Sequence, residues 1–361
     1  MKRLLLLLVA LLLVVGCNSS GGDSTTETLT APASEPAPTE TSIPVPTSTT
    51  TAAPKPTATP NQIVTPIATV TITSTPSPTP TPTAAPAKES STTETSPIFE
   101  VVSEHPIGAC INDHFSQFVR VHGMYVVGDE DAPSEYVLHT ANILAQYLDN
   151  DEDGIPDDQA VTDYLVARNF LMPVWTKNTR ENFWSSARGT PCEDNLRTVA
   201  SMYHRDSGDQ WAIGGIEKAK IWDSNLEEVW HVVSAGWYRV YPEYFNDKYD
   251  DPRDSLLTEA VDAARGGYFE EAPKVYPAEA WYRYFDCPYG CQVHEYFYWI
   301  TVANIGALDP SITNKCPNVE WSICTKEELK IRDVKAYDLL NNHGFKLPTR
   351  IPDGSYSPTK Q

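Results

Sequence analysis

Residues 225–233 read NLEEVWHVV and combine an apolar stripe with three ionisable side chains. The apolar positions recur at the spacing of a helix that buries one face, and they are Leu226, Val229, Trp230 and Val233. Glu227 and His231 are four residues apart and project from the same side of such a helix, and Glu228 borders that side. The pattern therefore predicts a helix from about residue 224 to Gly236 that holds ionisable groups next to the core.

Around this helix, the sequence from residue 99 onwards contains more helical than strand-like patterns. Further helices are predicted from Pro133, over residues 159–167, 255–264 and 292–306, and over residues 325–344. Residues 211–222 mix apolar and charged side chains around a Gly-Gly pair, and they predict a strand or a hairpin. A helix-dominated mixture with a small sheet predicts the α+β class, as a single domain over residues 99–361.

The order Glu227-Glu228-x-x-His231 resembles the zincin metallopeptidase motif H-E-x-x-H, with Glu227 in the place of the first His. The resemblance implies that Glu227 and His231 bind a metal ion and that Glu228 is the general base for the attacking water. The stretch around Glu259 resembles the later Glu-bearing helix of the Glu-zincin subgroup, which implies Glu259 as the third ligand. Two carboxylates and one imidazole form an oxygen-rich donor set that suits zinc, iron or manganese.

Other interpretations of these residues remain open from the sequence. Glu227 and His231 could instead form an ion pair on a helix surface, or His231 could be a core histidine whose hydrogen bonds are satisfied. The pair Glu228-x-x-His231 also fits one half of the ligand motif of di-iron carboxylate bundles, but the sequence contains no second Glu-x-x-His. His294 and Glu295 stand among aromatic residues at helical spacing and are interpreted as core.

Residues 149–158 read DNDEDGIPDD and lie between two predicted helices. The stretch resembles the calcium loop of EF-hand and dockerin proteins, in which alternate oxygen ligands converge on a hard cation around a glycine turn. The resemblance implies a calcium site whose ligands are Asp149, Asp151, Asp153, the carbonyl of Ile155 and Asp157. The twelfth position, a bidentate Glu in an EF-hand, is Ala160 here. The alternative interpretation is a solvated acidic turn that binds no ion.

The N-terminal residues predict export and lipid attachment. A basic start precedes an apolar run over residues 4–15, which is typical of a signal peptide over residues 1–16. The run ends at Gly16-Cys17, which resembles the bacterial lipobox and implies that Cys17 carries acyl chains such as palmitate that anchor the protein to a membrane. Residues 17–98 are rich in Ser, Thr, Pro and Ala and predict a disordered tether. We therefore expect a protein of the bacterial cell envelope whose domain is extracytoplasmic.

Charge and cysteine content narrow the classes of partner and compartment. The formal net charge of -21 argues against binding to nucleic acid, whose phosphates need basic partners. Of seven cysteines, Cys17 is assigned to the lipid, and the others predict disulfides in an exported domain. Closeness in the sequence favours the pairs Cys287–Cys291 and Cys316–Cys324, which leaves Cys110 with Cys192. A zinc site of thiolates is disfavoured, because the spacings lack a CxxC pair.

Two classes of function agree with these patterns. The first is a membrane-anchored, surface-displayed metallohydrolase that acts on an extracytoplasmic peptide or cell-envelope polymer. The second is a non-catalytic, calcium-stabilised binding or adhesion module displayed on a stalk. The Glu-Glu-x-x-His geometry favours the first class, whereas the replacement of the first His by Glu227 favours the second.

Overall fold

The computed structural model describes residues 99–195, 197–247 and 255–359. The signal peptide expected over residues 1–16, the lipid site at Cys17 and the tether expected over residues 17–98 lie outside the described residues. The strands are β1 (Glu100–Val102), β2 (Gln117–Val121), β3 (Met124–Gly128), β4 (Leu171–Trp175) and β5 (Met202–Tyr203). The helices are α1 (Ala109–Asn112), α2 (Ser134–Leu148), α3 (Gln159–Ala167), α4 (Lys177–Ala187), α5 (Pro191–Asn195), α6 (Ile216–Ala219), α7 (Asn225–Val240), α8 (Pro242–Phe245), α9 (Leu256–Arg265), α10 (Tyr289–Asn304), α11 (Lys326–Arg332) and α12 (Val334–Asn341).

The strands form one mixed sheet in the order β1-β2-β3-β4-β5. The pairs β1–β2 and β2–β3 are antiparallel, and the pairs β3–β4 and β4–β5 are parallel. The β2–β3 hairpin turns at His122-Gly123, where φ angles of 45° and 91° give the backbone twist that a two-residue hairpin loop requires. Parallel neighbours need crossover connections, which α2 and α3 provide between β3 and β4, and α4 and α5 between β4 and β5. The carboxyl ends of β3, β4 and β5 therefore lie at one edge of the sheet.

Apolar side chains cover both faces of this sheet. Val126 and Val127 are neighbours on β3 and belong to two separate core clusters, one on each face. All five residues of β4 are buried, as expected for a parallel strand that is covered on both sides. The smaller cluster includes Phe115, Trp175 and Phe183, and the larger cluster joins the sheet to α2, α7 and α10. Helices packed on a small mixed sheet confirm the predicted α+β class.

Helix α7 is the centre of the helical part of the fold. It packs against α2, α3 and α10. The Trp230 ring of α7 lies 5.2 Å from the ring of Tyr147 on α2 and 5.1 Å from the ring of Phe297 on α10. Helix α10 is buried along almost its whole length. No helix in the described ranges is both long enough and apolar enough to cross a membrane.

Side-chain caps define where several of the predicted helices begin. The Asp158 carboxylate caps α3, and Ser255 forms a reciprocal capping box with Thr258 at the start of α9. Thr325 caps α11, so the helix predicted after this residue does begin there. The segment predicted as one helix over residues 325–344 is divided into α11 and α12 at Asp333, because the Asp333 side chain caps a new helix.

Two further predictions of secondary structure are wrong. Helix α7 does not end at Gly236 but continues to Val240. A Cβ atom at Gly236 would lie 2.8 Å from Cγ1 of Val161, so this glycine permits α3 to approach α7 closely. Residues 211–222 contain the short helix α6 and no strand or hairpin. The sheet is built instead from segments that precede α2 or lie between α3 and α6.

The predicted disulfide pairing is confirmed. The bonded pairs are Cys110–Cys192, Cys287–Cys291 and Cys316–Cys324. The first bond joins α1 to α5 and spans 82 residues of sequence, so it ties two distant parts of the chain together. The third bond closes a short loop that begins directly after Lys315, a residue that contacts the site described next.

Candidate metal centre

Three side chains that can bind a metal ion converge between α7 and α10. Glu227 and His231 project from α7 one turn apart, and Glu295 projects from α10. One potential ligand atom from each residue lies within 4.8 Å of the other two. Metal–ligand bonds of about 2.0–2.2 Å would hold such atoms roughly 3–3.5 Å apart, so side-chain shifts of about 1 Å would complete the coordination. The structure therefore joins the predicted pair Glu227 and His231 to a third carboxylate.

His231 lies deep in this cluster and lacks a hydrogen bond at its Nε2 atom. The side chain is 10% exposed, and Nε2 lies 3.6 Å from Oε2 of Glu295, which is beyond hydrogen-bonding distance. Burial by itself lowers the pKa of His231, but the carboxylates of Glu295, Glu228 and Glu227 outweigh burial and raise the pKa to about 9. A buried nitrogen without a partner costs about 1–3 kcal/mol, so this atom is suited to bind an ion or a ligand.

The two carboxylates of the cluster differ in depth. The Glu295 side chain is 3% exposed and closes the bottom of the centre, whereas the Glu227 side chain is 23% exposed. The Nζ atom of Lys315 lies 3.6 Å from Oε2 of Glu227 on this more open side. Glu227 and Lys315 therefore form the more solvent-exposed side of the centre.

Glu228, the predicted general base, lies beside the cluster and not within it. Its Oε2 atom accepts a hydrogen bond of 3.4 Å from the backbone N–H of Ser201, directly before β5. Burial and the carboxylate of Glu227 raise the pKa of Glu228 well above its ordinary value, and His231 acts in the opposite direction. Glu228 therefore binds a proton more tightly than an exposed carboxyl group does.

The structure does not bring Glu259, the predicted third ligand, to this centre. Glu259 is 54% exposed, and its Oε2 atom forms an ion pair of 2.7 Å with Nζ of Lys335. Leu257, Ala260 and Val261 face the core from the same helix, so the side of α9 that bears Glu259 faces solvent. Glu295 of α10 occupies the place that the zincin resemblance assigned to Glu259.

Sequence reasoning missed Glu295 because the residue stands in a helix that is buried on most sides. The neighbouring His294 does not join the cluster, because its Nε2 atom lies 2.7 Å from the Asp247 carboxylate. A usable signal was present: an ionised carboxylate within a buried apolar helix is costly unless a cation or several donors compensate it. The aromatic surroundings favour the interpretation as core, and only the fold shows that Glu295 faces His231.

The acidic loop after α2 forms a second group that could hold a cation. Asp149, Asp151 and Asp153 each bring one carboxylate oxygen within 4.8 Å of the other two. Gly154 has a φ angle of +90°, and its N–H donates a hydrogen bond of 2.8 Å to Oδ2 of Asp149, which closes the turn. Asp157 lies outside this trio and accepts a hydrogen bond of 2.7 Å from the backbone N–H of Asn150.

Two further details complete the loop. The side chain of Ile155, whose carbonyl is a predicted ligand, is exposed. Burial and the carboxylates of Asp151 and Asp149 raise the pKa of Asp157, although the hydrogen bond from the backbone of Asn150 lowers it. The structure therefore brings together three of the four predicted aspartates, and the carboxylate of the fourth, Asp157, accepts a hydrogen bond from the loop backbone.

The C-terminal segment, residues 349–359, packs directly on this loop. The Tyr356 hydroxyl donates a hydrogen bond of 2.5 Å to Oδ2 of Asp149, and the N–H of Thr359 donates one of 2.9 Å to the carbonyl of Glu152. The side chain of Asn150 accepts a hydrogen bond of 2.8 Å from the N–H of Thr349. The conformation of the loop and the position of the C-terminal segment therefore depend on each other.

Comparisons of the chain with protein-family models, with curated proteins and with solved structures found no match. The site must therefore be understood from its own chemistry. Two carboxylates and one imidazole are a valid ligand set for a divalent transition-metal ion. The Nε2 atom of His231 is buried and makes no hydrogen bond, so these three residues could hold a metal ion.

Proposed function

We propose that this protein binds one divalent transition-metal ion through Glu227, His231 and Glu295, with zinc, iron and manganese as the candidate ions. We propose further that the loaded centre is that of a divergent, zincin-like metallohydrolase that acts on peptide or cell-envelope polymer. Binding needs only the three side chains that converge.

One observation carries the proposal. The Nε2 atom of His231 is buried, makes no hydrogen bond and faces two carboxylates from two different helices. A core histidine would have its nitrogens satisfied, and an ion pair on a helix surface would not be nine-tenths buried. A divalent ion would neutralise the two carboxylates and at the same time give Nε2 its missing partner.

The catalytic part of the proposal rests on the neighbouring residues. A bound divalent ion supplies Lewis acidity and lowers the pKa of water. Glu228 follows Glu227 on α7, and in our proposal it is the group that takes a proton from that water. Glu227 brings a negative charge where zincins have a neutral His, which weakens the Lewis acidity of an ion there. We therefore expect slow hydrolysis.

Elemental analysis of the purified protein, after removal of loosely bound ions, tests the binding claim. The wild type should carry or take up close to one zinc, iron or manganese ion per chain, and His231→Ala should lose it. Glu259→Gln is the matched control, because it removes the carboxylate of a solvent-exposed Glu that lies outside the centre. A wild type that takes up none of these ions would refute the proposal.

A calcium ion in the acidic loop is the second part of our proposal. Asp149, Asp151 and Asp153 supply converging carboxylates, and calcium prefers oxygen ligands of this kind. The ion would hold α2 and α3 together at the loop that joins them and would fix the surface on which the C-terminal segment packs. Its role would be structural.

We also propose that the chain is a lipoprotein of the bacterial cell envelope, anchored through Cys17, with an extracytoplasmic domain. Three disulfides support an oxidising compartment, because such bonds are rare in the cytosol. Replacement of Cys17 by Ser should release the protein from the membrane fraction of the producing cell. Retention of the variant in that fraction would contradict the anchor.

A non-catalytic binding module is the competing function, and one observation favours it. The Glu228 carboxylate accepts a hydrogen bond from Ser201 and is not one of the three converging groups. Release of peptides from casein by the metal-loaded wild type, but not by a loaded Glu228→Gln variant, would support the hydrolase. Equal inactivity of both proteins, each with its ion bound, would support the binding module.

A further inference from the structure

Lys315 holds an ammonium group at the more solvent-exposed side of the candidate metal centre. Its Nζ atom lies 3.6 Å from Oε2 of Glu227, and the Lys315 side chain is 28% exposed. The same Nζ atom lies 5.3 Å from the ring centroid of Trp222 and 5.4 Å from that of Trp299. The indole faces attract the ammonium group and displace part of its water without neutralising its charge. The cation is therefore held in one place beside a proposed metal ligand.

The backbone around Lys315 is also fixed. Lys315 directly precedes Cys316, which is bonded to Cys324, and the disulfide restricts the chain at this point. The Lys315 carbonyl accepts a hydrogen bond of 3.0 Å from Nδ2 of Asn318 within the same loop. A side chain that is anchored at its backbone and at its charged end presents its donors in a defined direction, which reduces the entropy lost when a ligand binds.

Charge determines what this ammonium group can do once an ion is bound. Without the ion, Glu227 is the counter-charge of Lys315. An ion between Glu227, His231 and Glu295 would neutralise the carboxylate of Glu227 and would repel the ammonium group of Lys315. Lys315 would then hold a positive charge and free N–H donors next to the ion, on the more solvent-exposed side. The complementary ligand carries a negatively charged or strongly polarised oxygen.

We infer that Lys315 is a ligand-binding residue of this centre, which donates hydrogen bonds to an acyl oxygen placed beside the metal ion. The inference rests on the metal centre proposed above. It narrows the substrate class to compounds with amide or ester carbonyl groups, whose hydrolysis leaves a carboxylate that the same ammonium group can bind. Glycosidic bonds, which carry no acyl oxygen, fall outside this class.

Acetate binding to the Co²⁺-loaded protein tests the inference. Cobalt is a visible probe of such sites, and acetate is the simplest carboxylate product. Lys315→Met should weaken acetate binding by about tenfold or more, because it removes a hydrogen bond to a charged group. Lys315→Arg should retain most of the affinity. Lys335→Met is the matched control, since it removes another lysine that pairs with a helix Glu but lies on α12, away from the centre.

A second measurement needs no variant. Saturating acetate should slow the reductive methylation of Lys315 in the Co²⁺-loaded wild type, as followed by peptide mass spectrometry, and should leave Lys335 unaffected. Unchanged acetate affinity in a Co²⁺-loaded Lys315→Met variant, or methylation of Lys315 at the same rate with and without acetate, would overturn the inference and leave the metal centre intact. A wild type that takes up no Co²⁺ would overturn the metal centre itself, and the role of Lys315 with it.

Discussion

His231 of α7 faces Glu295 of α10 with 3.6 Å between Nε2 and Oε2, and both side chains are almost fully buried. The contact joins two helices that are 64 residues apart at these positions in the numbering. The separation is longer than a hydrogen bond, and Nε2 of His231 has no hydrogen-bond partner among the described residues. The proposed metal ion would bind between these two side chains, so its affinity should depend on Glu295.

Glu295→Gln should abolish tight metal binding and preserve the shape of the side chain. The amide is a poor metal ligand, and the substitution removes one of the negative charges that balance a divalent ion. Residues that only hydrogen-bond to a metal ligand typically change metal affinity roughly 10–100-fold, and loss of Glu295 itself should lower the affinity by more than this. Titration calorimetry with zinc measures the change. Wild-type affinity in Glu295→Gln, together with a loss of affinity in Glu259→Gln, would mean that the sequence-based ligand was the right one.

The acidic loop gives a prediction about thermal stability. Chelation of calcium should lower the melting temperature, because an ion that binds only the folded chain at 100 times its Kd contributes about 2.7 kcal/mol. Asp151→Ala should lower the melting temperature by a similar amount and should no longer respond to the chelator. Asp163→Asn, an exposed carboxylate on α3 outside the trio, is the control. A chelator-treated domain that does not respond to added calcium would show that the loop binds no ion.

Asp247 gives a prediction about pH. Burial raises the pKa of Asp247, but hydrogen bonds from His294 and Arg239 outweigh burial and lower the pKa to about 2. A carboxyl group whose pKa is lowered by folding stabilises the fold above its unfolded pKa of about 3.9, and this stability is lost as the pH falls toward 2. The contribution is about 2.5 kcal/mol. Asp247→Asn should therefore reduce the difference between the free energies of unfolding measured in urea at about pH 5 and about pH 2.5.

The control for this experiment is Asp163→Asn, which should leave the difference between the two pH values as it is in the wild type. Equal acid sensitivity of the wild type and Asp247→Asn would show that the contacts with His294 and Arg239 do not contribute to stability at neutral pH.

The disulfides should differ in their contributions to stability. The Cys110–Cys192 bond closes a loop of 82 residues and the Cys287–Cys291 bond a loop of 4. Chain entropy predicts losses of about 4.5 kcal/mol and about 2 kcal/mol when each pair is replaced by serines. Urea unfolding of the two double variants measures the difference. Similar losses in both would mean that the local contacts around each bond, and not loop closure, determine its contribution.

Local patterns predicted most of the helices, because capping residues and apolar periodicity act over a few positions. Helix α3 occupies the predicted residues, and α2 begins beside Pro133 as expected. The disulfide pairing also followed from closeness in the sequence, apart from Cys110–Cys192, which remained by elimination. For α7 the apolar stripe identified the helix, but Gly236, which predicted its end, is instead a position where α3 packs closely against a continuing helix.

The sheet and the third member of the candidate centre depend on contacts between distant parts of the chain. Strand β4 is apolar on both faces and lacks the alternation that identifies a half-exposed strand. Glu295 faces His231 only because α10 packs along α7. Spacing within the sequence gave the pair Glu227 and His231, which share one helix, but the resemblance implied Glu259 as the third member, and Glu295 was interpreted as core.

The C-terminal segment also brings the two ends of the described domain together. The ring of Phe99 stacks on that of Tyr356, with 5.9 Å between their centroids. The first described residue and the C-terminal segment are thus close in space, and a short peptide linker could join them. The chain could then be opened at an exposed loop, and a circular permutant would preserve the order of the strands in the sheet and the α7–α10 centre. The fold of the domain would then not depend on where its chain begins and ends.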